Sequence, residues 1–222
     1  GRTAAASGCH AESGMKRGVW LILSLLLAAP QAMAQSESSP PRYQVEVIVF
    51  TQPPLDDAER AQAKRHPPLP LPGRAWPLRD RPRAGFGYAR LDSSQYQLSS
   101  AAQRIDAQPG FAVHWHAAWQ QPGLAENRAQ AVALPRALRQ SGLTGRIRID
   151  LARFLHVDVD LQYTESPESN APSDEAPRYW VVDDSLRMRS DEQHYLDHPR
   201  LGVIVRIDPV PAQQSGDSST PN

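Results

Sequence analysis

The chain has 222 residues, with 24 basic and 24 acidic side chains and a formal net charge of zero at pH 7. No stretch of Lys and Arg is interleaved with aromatics, so the sequence lacks the phosphate-neutralising surface that nucleic acid requires, and nucleic acid is not expected as a partner. The one cysteine, Cys9, lies close to the N-terminus, so a chain that begins beyond it makes no disulfide and no thiolate metal site and is held by burial alone.

Residues 1–14 precede the first methionine and do not open as a signal peptide does; they are expected to be an upstream extension outside the folded protein. Met15, Lys16 and Arg17 then give a positive start, Val19 to Ala29 a short apolar run, and Ala32-Met33-Ala34 the two small residues that a signal peptidase selects. Residues 15–34 therefore read as a signal peptide, with Gln35 opening the mature chain. The apolar run falls short of the roughly 20 residues of a spanning helix. No cysteine follows it to carry a lipid. The expectation is a soluble, exported, periplasmic protein with no membrane span after cleavage.

Residues 35–41 form a polar tether. Tyr43 to Phe50 starts by alternating and then turns apolar on both faces, as a strand inside a sheet does. Leu55 to His66 reads as a short helix, with Asp56 and Asp57 in its first turn and Lys64, Arg65 and His66 in its last. From Pro67 to Pro82, Pro67, Pro68, Pro70, Pro72, Pro77 and Pro82 remove backbone donors and predict an extended loop. Trp76 within it either meets a partner's surface or pins the loop to the protein's own core.

Leu91 to Asp106 has helical spacing at Leu91, Gln95, Leu98, Ala102 and Ile105, and Pro109-Gly110 ends it. A strand follows, with Phe111, Val113, Trp115, Ala117 and Trp119 on one face and His114 and His116 on the other. Arg146 to Leu151 and Leu155 to Gln162 alternate as the halves of a hairpin, and Asp158 and Asp160 read as part of its solvated face. Glu165 to Pro177 is expected to be a mobile loop, Tyr179 to Met188 and Leu201 to Ile207 the last strands, and residues 210–222 a disordered tail. This order predicts one α+β domain over residues 42–209, an antiparallel sheet of about five to six strands with helices packed on one face.

For chemistry the histidines come first. His114, His116, His156 and His194 are of a type that holds zinc or copper, and a metal-dependent periplasmic hydrolase using them is the alternative reading. Against it, the residue after His194 is Tyr195, where a zinc protease needs Glu. Pro199 makes His194, Asp197 and His198 more apt to tie down a turn than to share a helical face. No serine sits in a Gly-x-Ser-x-Gly elbow. No catalytic residue, cofactor or metal is expected. What stands out is an aromatic and polar set, since sugars are held by aromatic faces and planar hydrogen-bonding groups, and Arg pairs with carboxylates in a fork.

Glu46-Val47-Ile48-Val49-Phe50, the run from His116 to Pro122, Phe154-Leu155-His156-Val157, and above all the run from Arg187 to Pro199 followed by Leu201-Gly202-Val203 resemble the CsiV family of periplasmic peptidoglycan-binding proteins. The likeness spans nearly the whole mature chain in order. It implies a non-enzymatic factor of cell-wall assembly that contacts peptidoglycan and works through an outer-membrane lipoprotein activator of a bifunctional penicillin-binding protein. The residues expected to bind ligand come from the reading of the side chains: His116, Trp119, Gln120, His156, Arg187, Arg189, His194, Tyr195, Asp197 and His198.

Overall fold

The computed structural model describes residues 39–71, 73–80, 87–167 and 176–211. The upstream extension, the signal peptide, the start of the tether and the tail beyond residue 211 lie outside the described residues, as do parts of the proline-rich and acidic loops.

Among the described residues ten strands form two five-stranded sheets. The first has the order β3-β4-β1-β10-β9 and is antiparallel throughout, with β1 at Arg42–Thr51, β3 at Ala89–Arg90, β4 at Ala112–Pro122, β9 at Glu192–Asp197 and β10 at Leu201–Val210. The second has the order β2-β5-β6-β7-β8, with β2 at Ala75–Pro77, β5 at Ala131–Ala133, β6 at Leu143–Leu151, β7 at Leu155–Glu165 and β8 at Arg178–Met188. It too is antiparallel, apart from the parallel β2–β5 pair.

The main core lies between the sheets. Val45, Val47 and Val49 of β1, Trp115 and Trp119 of β4 and Val205 of β10 meet Ile147, Val157, Val159 and Leu161 of the second sheet in one apolar cluster. This corrects the expectation of a single sheet with helices on one face: the layer that covers the first sheet is a second sheet. Alternation along a strand reports that one face is buried and is silent about what buries it. The helices are too small for that task, α1 being Asp57–Arg60 and α2 Ser99–Asp106. The second of them closes a satellite cluster, where Leu98, Ala102 and Ile105 cover Ile48, Phe50 and Ile204 on the outer face of the first sheet.

The expectation for β1 is met, since every residue from Val45 to Thr51 is buried. Its outward Glu46 is 1% exposed and accepts hydrogen bonds from the N–H groups of Gln97 (2.7 Å) and Leu98 (2.9 Å) and from His116 Nε2 (2.7 Å). A carboxylate at that place satisfies donors that the start of α2 leaves open, where Leu98 offers no side-chain cap. It also explains why the predicted helix at Leu91 to Asp106 is broken: Ser93–Gln95 is a 3-10 turn, Tyr96 is extended, and only from Ser99 is the chain α-helical.

A register shift between Val49 and Phe50 separates the two histidines of β4. His116 stays on the outer face beside Glu46 and Tyr96, whereas His114 turns to Thr51 Oγ1, 3.0 Å away, and to the ring of Tyr163 on the second sheet.

The described part of the proline-rich loop is a strap along the second sheet. Gln162 Nε2 donates to Leu69 O at 2.7 Å, β2 pairs with β5, and Leu78 packs on the main core. Gly73, at φ +75°, allows the closest approach, since a Cβ there would lie 2.9 Å from Arg146 Nη1. The expected turn before the last strand is likewise a strand: β9 pairs with β10, and the hairpin is closed by reciprocal backbone bonds between His198 and Leu201. The chain passes from β8 in one sheet to β9 in the other through three residues, Arg189 to Asp191.

Candidate functional site

The outward side chains of the second sheet form charged rungs, because β6 presents Arg at alternate positions and β7 presents Asp opposite them. Arg146 stands across from Asp160 and Arg148 across from Asp158. Arg146 Nε donates to Asp160 Oδ2 at 2.6 Å, Arg148 Nε to Asp158 Oδ2 at 2.9 Å, and Arg148 Nη2 to Glu126 Oε1 at 3.2 Å. On β8, Asp183 and Ser185 continue the two rungs. At the β5 edge, Trp76 of the strap is 38% exposed. Trp76, Arg74, Arg146, Arg148, Asp158 and Asp183 line an open cleft of about 680 Å³.

The next rung holds two of the expected residues. His156 stands between Asp150 and Arg187, with its Nδ1 3.2 Å from Asp150 Oδ2. The Arg187 guanidinium lies over the Phe154 ring at 4.6 Å, and the residue is exposed. Arg189 is exposed in the link that leaves β8, and its backbone N–H donates to Glu192 Oε2 at 3.0 Å.

The remaining expected residues lie on the first sheet. His194 Nε2 is 3.0 Å from Glu192 Oε2 on the edge strand β9. The hydroxyl of Tyr195 donates to Asp197 Oδ1 (2.8 Å) and lies 3.0 Å from the side-chain amide of Gln52, and its ring stacks on Phe50 at 6.1 Å. Burial pushes the Tyr195 phenol up, the Asp197 bond and charge add to this against the lowering bond of Gln52, and it reaches about 12. His198 meets the edge of Trp180 at 5.9 Å, and burial holds its pKa below the ordinary value although Asp197 and Glu59 oppose it. Gln120 is half-buried opposite Gln44, and Trp119 is fully buried, its indole N–H donating to Gln121 Oε1 at 2.8 Å. The structure thus gathers His156 and Arg187 beside the rungs, Tyr195, Asp197 and His198 at one end of the first sheet, and leaves the others apart.

The histidines of the hydrolase reading fall on separate surfaces: His114 faces the gap between the sheets, His116 the outer face of the first sheet, His156 that of the second, and His194 an edge strand. Among the described residues no three His, Asp or Glu side chains converge as metal ligands. At His114, burial and then the Arg200 charge lower the pKa, with Asp106 opposing them.

Sequence reasoning left Trp76 between a partner's surface and the protein's own core and did not join it to Arg146 and Arg148. The signal was present, since a hairpin with Arg on one arm and Asp on the other fixes which pairs meet once its short turn is placed. Trp76 had no such signal, because its strand is three residues long and pairs in parallel.

A search of curated proteins and one of solved structures give no match. A family model described as peptidoglycan-binding protein, CsiV, matches residues 19–210, which is most of the chain. On that match the chain belongs to the CsiV family of peptidoglycan-binding proteins.

Proposed function

We propose that the chain is a periplasmic, non-enzymatic factor that binds peptidoglycan through the outer face of its second sheet and serves cell-wall assembly through an outer-membrane lipoprotein activator of a penicillin-binding protein. One observation carries the choice of surface: an exposed indole borders a cleft of about 680 Å³ whose floor is a ladder of ion-paired Arg and Asp. A pyranose ring lays its C–H face on an indole, and its hydroxyls bond to planar guanidinium and carboxylate groups in the same plane. The pairs at Arg146 and Arg148 hold those groups in place beforehand, so little side-chain freedom is lost on binding. Arg187 and His156 extend the surface by one rung. The partner and the cellular role rest on the family likeness, and the export on the signal-peptide pattern at residues 15–34.

Co-sedimentation with purified sacculi tests this reading. The wild-type mature chain is expected in the pellet, and Trp76→Ala combined with Arg187→Ala is expected to weaken binding about tenfold or more, as loss of an aromatic and an arginine anchor does elsewhere. A wild-type protein that stays in the supernatant at low salt overturns the reading. A double variant that pellets like wild type moves the binding surface elsewhere.

A further inference from the structure

A second cleft, of about 750 Å³, adjoins the first. Neighbouring side chains of β2 face the two: Trp76 borders the first cleft, and Ala75 and Pro77 line the second. Arg146 lines both, so the two clefts share one side chain. The second cleft runs between the strap and the 3-10 turn at Arg136–Ser141.

Its charge is one-sided. Arg79 reaches it from the strap, Arg136 and Arg139 from the 3-10 turn, and Arg146 from β6, while no Asp or Glu is in its lining among the described residues. Arg146 is already paired with Asp160. The side chains of Arg79, Arg136 and Arg139 make no hydrogen bond or ion pair among the described residues, and all three are exposed. Leu71, Pro77, Pro135 and the buried Leu134 and Leu143 give the cleft apolar walls. Gathering cations with no counter-charge costs repulsion, and an anion entering between them relieves it.

We propose that this cleft is a subsite for the carboxylates of peptidoglycan stem peptides, with Arg79, Arg136 and Arg139 as the recognising groups. This rests on the reading that the adjoining face holds the glycan. A guanidinium takes a carboxylate in a two-bonded fork, and guanidiniums on facing walls suit a ligand with more than one carboxylate. The apolar walls accommodate methyl and methylene groups between those carboxylates, which a bare inorganic anion lacks. The strap is held against the second sheet by Gln162 on Leu69 O and by the close pass of Gly73 over Arg146.

The experiment is calorimetric titration of the full mature chain with four probes: a free pentapeptide stem, the same peptide with its carboxylates amidated, a peptide-free chitooligosaccharide, and inorganic phosphate. Sedimentation with intact sacculi runs alongside. Both amidation and the charge-removing double variant Arg136→Gln with Arg139→Gln are expected to weaken stem binding about tenfold or more, the scale of a charged hydrogen bond lost. Arg136→Lys with Arg139→Lys is expected to recover part of it, and the oligosaccharide to bind all variants equally. Stem affinity that is indifferent to the glutamine substitutions overturns the subsite even where sacculi still pellet the protein, and phosphate binding as tight as the stem overturns the choice of ligand. Wild type that ignores sacculi but binds the free stem in an arginine-dependent way sinks the glycan-face reading and leaves the carboxylate subsite standing.

Discussion

Gln121 on the first sheet donates its side-chain amide to the carbonyl oxygen of Ile149 on the second, 3.0 Å away. Its own carbonyl accepts from the Trp119 indole at 2.8 Å, and all of this lies in the dry interior, where Gln121 is 2% exposed. The bond is a buried polar link between two layers that the Arg200–Glu165 pair, at 3.0 Å, also joins.

Gln121→Leu removes both bonds at nearly constant volume and leaves a buried N–H and a buried C=O without partners. The expected loss is about 2 to 3 kcal/mol in urea unfolding. A variant within about 0.5 kcal/mol of wild type would mean that solvent or a shifted Trp119 satisfies those groups.

Glu46 ties stability to pH. Burial raises its carboxyl, but the hydrogen bond from His116, the N–H groups of Gln97 and Leu98 and the His116 charge outweigh burial and hold it below the ordinary value of 4.5. A depressed folded pKa gives stability that is complete above the unfolded value and is lost as the pH falls through the folded one. Wild type is therefore expected to exceed Glu46→Gln by about 1 to 3 kcal/mol at neutral pH. The gap narrows below pH 4.5. Unfolding curves across that range decide it, and a gap that widens with acid would contradict the sign.

Tyr195 gives a spectroscopic check. Raised from 10.0 to about 12 by burial and by Asp197, its phenol is expected to ionise after ordinary tyrosines in an alkaline absorbance titration. The late component should shrink by one phenol in Tyr195→Phe, leaving that of Tyr88, which burial also raises, and the Tyr195 share should move toward the ordinary value in Asp197→Asn. The associated stability is intact below the ordinary tyrosine value of 10.0 and is lost as the pH rises toward 12.

The long strands were legible because each carries its alternation in its own residues: β1, β4, the β6–β7 hairpin, β8 and β10 lie where the pattern places them. The second layer was not, since Ile147 and Val159 alternate in the same way whether a helix or a sheet covers them. β9 was hidden by composition, because Glu192 to Asp197 is mostly polar with Pro199 close behind, and its pairing comes from β10 and not from its own propensity. The helix at Leu91 to Asp106 was overextended because Glu46, far away in sequence, takes the N–H groups of Gln97 and Leu98. The pairing of His114 with His116 failed at one bulge opposite Val49 and Phe50, which no local pattern announces.

β1 is flanked by β4 on one side and by β10 on the other, its Arg42 meeting Val210 and its Thr51 meeting Leu201. A polypeptide synthesised from its N-terminus therefore carries an apolar segment with one row of amides unanswered until Leu201–Val210 appears. Assembly of the first sheet waits for β10. A stop codon before Leu201 would leave that segment open to the nearest other strand and favour aggregates over a smaller folded protein.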